Sequence, residues 1–269
     1  MSYTLRRLPS NYAVMLVGTG GTGGFLADGL ARLLPTKTTL YLVDHDRVEK
    51  HNLTRQNFVR ADLGRFKAQV LAERLARDYG RKVDFCTKPV EHLAITDRAY
   101  LTIGCVDNPQ ARERLQWAGS NMMGGRYSYQ KFDGWYIDAG NSEHSGQVLI
   151  GNSLLKECQH CFTPINGVCQ KLPLPTIQQP ALLVPDMKPA LDCAERVVRD
   201  EQSPIINRVM ADIVLTFVHK LLNGTLSWMG MYVCMEAGTM SAVEATPEAV
   251  ARITGLTVRQ VEYRPRSRA

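Results

Sequence analysis

Residues 14–44 read VMLVGTGGTGGFLADGLARLLPTKTTLYLVD, and this order of apolar run, glycine turn, periodic run and second apolar run decides the fold. Residues 13–18 form a strand signal. Residues 23–34 carry helical spacing and stop at Pro35, which cannot continue a helix. Residues 38–44 are a second, β-branched strand, so the stretch is one strand–helix–strand unit. Its first bend is the turn Gly18-Thr19-Gly20-Gly21-Thr22-Gly23-Gly24. Glycines there allow a tight turn and let backbone amides approach phosphate oxygens, which the helix N-terminus also favours. The turn alone does not choose between a dinucleotide and ATP. A nicotinamide dehydrogenase also expects an acid at the end of the second strand, and Asp44 meets that expectation.

Outward from this unit, the first half keeps alternating. Residues 67–79 read as a helix ended by Gly80, residues 82–87 and 101–107 as strands, and Pro109 opens a helix through about residue 117. Strands alternating with helices predict an α/β fold with a Rossmann-like, mostly parallel sheet and helices on both faces. Ligands of such sheets bind at the carboxyl ends of the strands, where Gly18, Asp44 and Asp107 all fall. The second half differs. Residues 135–140 and 147–152 look like strands, and residues 157–192 are rich in proline and cysteine with little periodicity, which predicts a long, mobile crossover. Helical spacing returns over residues 204–222, with Ile205, Val209, Ile213, Phe217 and Leu221 as one core stripe. Residues 233–244 suggest further strands, and Thr246-Pro247-Glu248 a capped final helix.

Composition excludes several classes. With 269 residues, 45% hydrophobic and 22% charged, the chain suits one sizeable globular α/β domain. Much of the formal charge of +6 sits at the ends, in Arg6, Arg7, Arg259, Arg264, Arg266 and Arg268. Solvated termini account for it, so no direct nucleic-acid contact is expected. No apolar run reaches membrane-spanning length and no signal-peptide pattern opens the chain, which predicts a cytoplasmic protein. Seven cysteines, an odd number, favour thiols, metal ligands or a nucleophile over a disulfide framework.

The segment after Asp44 separates the two nucleotide classes. A dehydrogenase needs no second acid, Asp46, no Asn52-Leu53-Thr54-Arg55-Gln56 and no Lys67 ahead of a helix. Adenylation needs cations to hold a triphosphate and a carboxylate that would otherwise repel each other, and Arg55 and Lys67 supply that charge. Asp107 is placed to bind Mg²⁺, a hard cation that prefers carboxylate and phosphate oxygen. Each residue taken singly also fits a surface salt bridge; their order and spacing together argue for the site.

These residues resemble the ThiF/MoeB/HesA superfamily, whose members include the adenylating domains of ubiquitin-activating enzymes. The matching positions are Gly18 to Gly23, Asp44-x-Asp46-x-Val48-Glu49-x-x-Asn52-Leu53-x-Arg55-Gln56-x-Phe58, Gly64 to Lys67, and Val106-Asp107-Asn108 followed by Arg112. Weaker similarity runs through Tyr136-Ile137-Asp138-Ala139-Gly140 and Gly146-Gln147 to Cys158-x-x-Cys161. The resemblance implies a single adenylating domain over 1–269, with a nucleotide-binding half (1–134), a partner-binding half (135–269) and a crossover over about 153–203. It implies ATP and Mg²⁺ held by Gly18, Gly20, Gly21, Gly23, Asp44, Asp46, Asn52, Arg55, Gln56, Lys67, Asp107 and Asn108. Asp44 would take the ribose, Asn52, Arg55 and Lys67 the phosphates, and Asp107 the magnesium. The implied reaction is attack of the C-terminal glycine carboxylate of a small ubiquitin-like or sulfur-carrier protein on the α-phosphate, in a homodimer.

The same resemblance places a structural zinc on Cys158 and Cys161 together with a second downstream pair. Here that pair is reduced to Cys234, with Ala237 where its partner would stand, so a zinc completed by Cys169 or His160 stands beside packed or free thiols. Cys193, in Leu191-Asp192-Cys193-Ala194-Glu195, falls where similar proteins carry a cysteine that receives the acyl group as a thioester; the alternative is a buried structural thiol. Relatives send an arginine from an N-terminal helix into the neighbouring subunit's site, a task left here to Arg6 or Arg7. The short N-terminus, the Cys-Ala-Glu motif and Gln202-Ser203-Pro204-Ile205-Ile206-Asn207 look most like the ThiF-type protein of the PRTRC system, a bacterial mobile-element cassette. The competing readings are a catalytically silent ATP-binding partner protein in a plasmid or mobile-element maintenance complex, and adenylation of a small modified peptide.

Overall fold

The computed structural model describes residues 3–92, 100–119, 134–185 and 203–262. Near the N-terminus, β1 (Thr4–Leu5) precedes β2 (Val14–Val17), an apolar strand buried at every position. The glycine turn leads into helix α1 (Gly21–Leu33), then β3 (Leu40–Val43), helix α2 (Lys67–Tyr79) and β4 (Val83–Cys86). The αL geometry of Gly80 ends α2 where the sequence places its stop. Next come β5 (Leu101–Gly104), helix α3 (Pro109–Gly119), β6 (Trp135–Asn141) and β7 (Ser145–Gly151). The segment that follows holds β8 (Phe162–Thr163), β9 (Val168–Cys169) and the short helix α4 (Pro175–Gln178). Helix α5 (Pro204–Asn223), the hairpin β10 (Trp228–Cys234) and β11 (Thr239–Glu244), and helices α6 (Pro247–Thr254) and α7 (Val258–Val261) complete the described chain.

An eight-stranded sheet runs β11-β10-β7-β6-β5-β2-β3-β4. From β6 to β4 neighbouring strands are parallel, and from β6 to β11 they are antiparallel. The chain steps from β2 to β3 on one side and returns to β5 on the other, so the strand order reverses at β2. A crevice at such a reversal is where open α/β sheets bind ligands. On one face α1 and α5 pack against each other; Gly29 of α1 lies so close to Leu215 that a Cβ there would sit 2.2 Å from its Cδ1.

Two expectations change. The stripe through Ile205, Val209, Ile213, Phe217 and Leu221 drifts, because each step of four residues advances about 40° beyond a full turn. Ile205 is therefore 63% exposed, and the buried face of α5 alternates steps of three and four through Ile206, Met210, Ile213, Val214, Phe217 and Leu221. The crossover expectation fails for its first part. Cys158, Cys161, Phe162, Cys169, Leu172 and Leu174 are buried there, and β1, β9 and β8 form a second, three-stranded sheet. Its apolar residues are irregularly spaced because they contact several elements at once. Thr246 caps α6 as expected, its Oγ1 accepting the Ala249 amide at 3.1 Å. Among the described residues no helix is long and apolar enough to cross a membrane.

Arg81, just past Gly80, closes the strand–helix units on themselves. Its buried guanidinium donates to the carbonyls of Ala31, Leu34, Pro35 and Thr38, at 2.7, 3.0, 3.0 and 2.8 Å. Those carbonyls lie at the C-terminal end of α1 and in the loop after it, where the helix dipole favours a cation. Arg81→Ala removes the donor from the carbonyls of Ala31, Leu34 and Thr38, while that of Pro35 keeps the Thr38 amide, and should lower the unfolding free energy by roughly 2–3 kcal/mol in urea titration; an unchanged midpoint would show that water replaces the guanidinium without loss.

Candidate nucleotide-binding site

The register puts the site residues at one level. Val17 pairs with Val43 on one side and with Gly104 on the other, so Gly18, Asp44 and Cys105 leave adjacent strands side by side. Gly18 turns the chain with φ +83°, and a Cβ on it would lie 2.3 Å from the Cys105 carbonyl oxygen. At Gly23 a Cβ would lie 1.9 Å from the Gly18 carbonyl oxygen, so α1 can seat on the turn only without a side chain there. The first amides of α1 have no partner within the helix and face the open carboxyl edge of the sheet, the arrangement that attracts phosphate.

Asp44, nearly buried, bridges the turn to β3. Its Oδ2 accepts from the Thr19 amide (2.7 Å) and hydroxyl (3.0 Å), and its Oδ1 accepts from the Asp46 amide at 2.9 Å. A carboxylate offers about four lone-pair sites, which leaves room on Oδ1 for a ribose hydroxyl. The exposed Asp46 pairs with Lys67 at 3.0 Å, and the Lys67 side chain is only 8% exposed while that of Asp46 is 54% exposed. The ammonium is thus held nearly out of water at the start of α2.

Between Asp46 and Lys67 the chain is a built loop. Asn52 Oδ1 accepts from the Glu49 amide at 2.9 Å while the Asn52 amide donates to the Glu49 backbone carbonyl at 3.0 Å, closing the turn Lys50–Thr54 that carries the chain to Arg55. The buried Asn52 therefore organises this loop with its carbonyl oxygen. Gln56 Oε1 is buried without a hydrogen-bond partner among the described residues and lies 3.7 Å from where a Cβ on Gly20 would be. Asp62 and Arg74, which sequence reasoning passed over, pair at 2.6 Å, and Arg74 also donates to the Asn57 carbonyl. Asp107, exposed past the end of β5, follows at the same edge, and Asn108 caps α3 by accepting the Ala111 amide at 2.7 Å.

Two polar clusters back this edge and were not legible as such. Asp138, opposite Gly104 on β6 and fully buried, accepts from the Tyr136 hydroxyl at 2.7 Å and from Arg112 Nε at 3.3 Å; its Oδ1 has no partner among the described residues. Burial pushes the Asp138 carboxyl up against the opposing pull of Arg112. Burial likewise pushes the Cys105 thiol far up, which keeps this neighbour of the turn protonated and unsuited to nucleophilic attack. The second cluster joins Thr22, Asn141 and Asn207. Asn207 was legible only as part of a family-like motif.

The cysteines do not assemble a zinc site among the described residues. The one group of three potential ligands within 4.8 Å there is Asp44, His45 and Asp46. The thiols of Cys158, Cys161 and Cys169 face the carbonyls of Leu154, Glu157 and Lys171. The neighbouring Cys158 thiol and burial push Cys161 up, and burial pushes Cys169 up, as expected for packed neutral thiols. Cys193 lies outside the described residues. Arg7 donates to the Asn223 carbonyl of its own chain, and Arg6 sits over its own Trp135 ring at 5.8 Å.

The ThiF family model matches residues 5–258, nearly the whole chain. The chain belongs to the ThiF family. No curated protein sequence matches it at a significant level. Solved structures similar to this ThiF-family chain include the microcin C7 biosynthetic enzyme MccB in complex with N-formylated MccA, at 18% identity and a TM-score of 0.60. They also include E. coli MccB with ATP, at 18% and 0.57, and PaaA, at 17% and 0.57. Each alignment covers 87% of this chain and 64% of the solved one, so the chain spans under two thirds of those proteins. Identities this low show a shared fold, and the Rossmann-like sheet is that fold.

The residues present fit ATP: glycines without room for a Cβ, amides open at a helix start, a nearly buried lysine and an acid with spare acceptor capacity. Asp107 offers Mg²⁺ a hard oxygen at the same edge. Gly23→Ala, which drives a methyl into the Gly18 carbonyl, should cost roughly 3 kcal/mol of stability in urea titration; an unchanged midpoint would show that the turn can yield.

Proposed function

We propose that the chain catalyses ATP-dependent adenylation of the C-terminal glycine carboxylate of a small ubiquitin-like or sulfur-carrier protein. The observation that carries this reading is the co-level exit of Gly18, Asp44 and the Asp107 loop from adjacent parallel strands, with Lys67 held beside Asp46. That arrangement offers amide, carboxylate and ammonium groups to one ligand. Membership of the ThiF family, and solved structures of the same fold that hold ATP or MccA, support it.

In this reading the turn amides, Arg55 and Lys67 hold the triphosphate, and Asp44 holds the ribose. Mg²⁺ on Asp107 would neutralise phosphate charge. An acceptor carboxylate oxygen bonds to the α-phosphorus, the bond from that phosphorus to the bridging oxygen breaks, and pyrophosphate leaves with the electron pair. No side-chain base is required, because the carboxylate is already ionised near neutral pH. Positioning and charge stabilisation carry the step. A second step completes the proposal: the Cys193 thiolate attacks the acyl carbonyl, a thioester forms and AMP departs, the thiol proton having passed to solvent.

Asp107→Ala should reduce ATP–pyrophosphate exchange, measured with candidate partner proteins, by at least about a hundredfold without changing the thermal midpoint. Full exchange by the variant would remove Asp107 from the mechanism, and ATP binding without exchange for any partner would favour the silent ATP-binding protein. Cys193→Ala should leave exchange intact and abolish any thiol-reducible protein conjugate on non-reducing gels; a conjugate that persists would place the acyl group elsewhere.

A further inference from the structure

We propose that Asn207 is a positioning residue for the triphosphate site, joining Arg55 to the first turn of α1; the assignment rests on the nucleotide reading above. Asn207 lies one turn into α5, whose start is capped by Ser203 accepting the Ile206 amide at 3.2 Å. Its residue is fully buried beside Ile206 and Met210, on a face that is otherwise apolar apart from it. A carboxamide buried there is unfavourable unless its hydrogen bonds are made, and an aliphatic residue would serve packing alone.

The bonds are made, and all lead to the candidate site. Asn207 Nδ2 donates to the Arg55 carbonyl at 3.2 Å, across 152 residues of sequence. Its Oδ1 accepts from Asn141 Nδ2, at the end of β6, at 3.2 Å. The Thr22 hydroxyl lies 3.1 Å from Asn141 Oδ1 and 3.4 Å from Asn207 Oδ1, and its single proton favours the shorter contact. One side chain thus ties α5 to the Arg55 loop, and through Asn141 to Thr22 of α1.

Contact with the glycine turn is direct as well. A Cβ on Gly21, the first residue of α1, would lie 2.4 Å from Asn207 Nδ2 and 2.6 Å from Cγ. The carboxamide therefore occupies the space a side chain would take at the phosphate-facing end of the helix. It fixes the spacing between the α1 amides and the backbone that carries the Arg55 side chain, and those amides and that guanidinium are proposed to grip the same triphosphate. It reaches them through the backbone and has no part in gripping the adenosine.

That division gives the test. Calorimetric binding of MgATP and of adenosine is compared in the unaltered protein, Asn207→Ala and Asn207→Asp. Asn207→Ala should weaken MgATP about tenfold and leave adenosine within about twofold, the loss of one net hydrogen bond acting on phosphate alone. Asn207→Asp keeps the shape and the acceptor but turns the donor into a carboxylate facing the Arg55 carbonyl; it should weaken MgATP further still, and it decides the matter if the alanine variant folds poorly. Equal losses for both ligands, or unchanged MgATP affinity in a folded variant, would overturn the positioning role. A wild-type protein that binds no MgATP would take down the nucleotide reading and this assignment together.

Discussion

The carboxylate of Asp44, accepting both the amide and the hydroxyl of Thr19, is the interaction on which the rest of the site depends. A turn with several glycines is entropically costly to order, and past Gly18, whose amide donates to the Val43 carbonyl of β3 at 2.9 Å, the chain leaves the strand ladder. Two hydrogen bonds to a nearly buried carboxylate, at 2.7 and 3.0 Å, fix the turn to the neighbouring strand, and charge-assisted bonds to amides are among the stronger ones available. Once Thr19 is held, Gly18 takes its left-handed turn under the Cys105 carbonyl and α1 starts against Gly18. The other oxygen of Asp44 accepts the Asp46 amide, and Asp46 meets Lys67. One residue therefore orders the turn and, through its neighbour, the cation.

The parallel half was legible because its information is local. Apolar runs, a proline stop, a glycine C-cap and a proline first turn mark the elements, and α2 spans the residues that its periodicity and Gly80 indicate. Asp44, Asp107 and Gly18 were legible because strand ends in such sheets have one address. The core stripe of α5 was misplaced by assuming steps of four, which a helix of 3.6 residues per turn cannot sustain over five positions. The packed part of the crossover was missed because its buried residues satisfy several neighbours and leave no single period. The roles of Asn207 and Asp138 were opaque for a different reason: a polar residue in a sequence reads as surface until its partners, 66 and 152 residues away for Asn207, are known.

The site rests on a floor of buried polar groups. Arg112 and Tyr136 hold Asp138 at the level of Gly104, and Asn207 holds the Arg55 loop against α1. Low-dielectric surroundings strengthen such bonds and penalise any that break, so the floor favours one arrangement over near alternatives. A dinucleotide site needs the glycine turn and Asp44. The lysine beside Asp46, the turn that Asn52 closes ahead of Arg55 and the Asp107 loop go beyond that need, and they suit a ligand with more phosphate charge.

The central claim is attack at the α-phosphorus by an acceptor carboxylate. The direct measurement is mass spectrometry of the products formed from MgATP and an acceptor whose terminal carboxylate carries heavy oxygen. The account predicts AMP bearing one heavy oxygen, together with unlabelled pyrophosphate, because the attacking oxygen stays on phosphorus when the acyl group departs. Label in inorganic phosphate with formation of ADP, or unlabelled AMP, would contradict it.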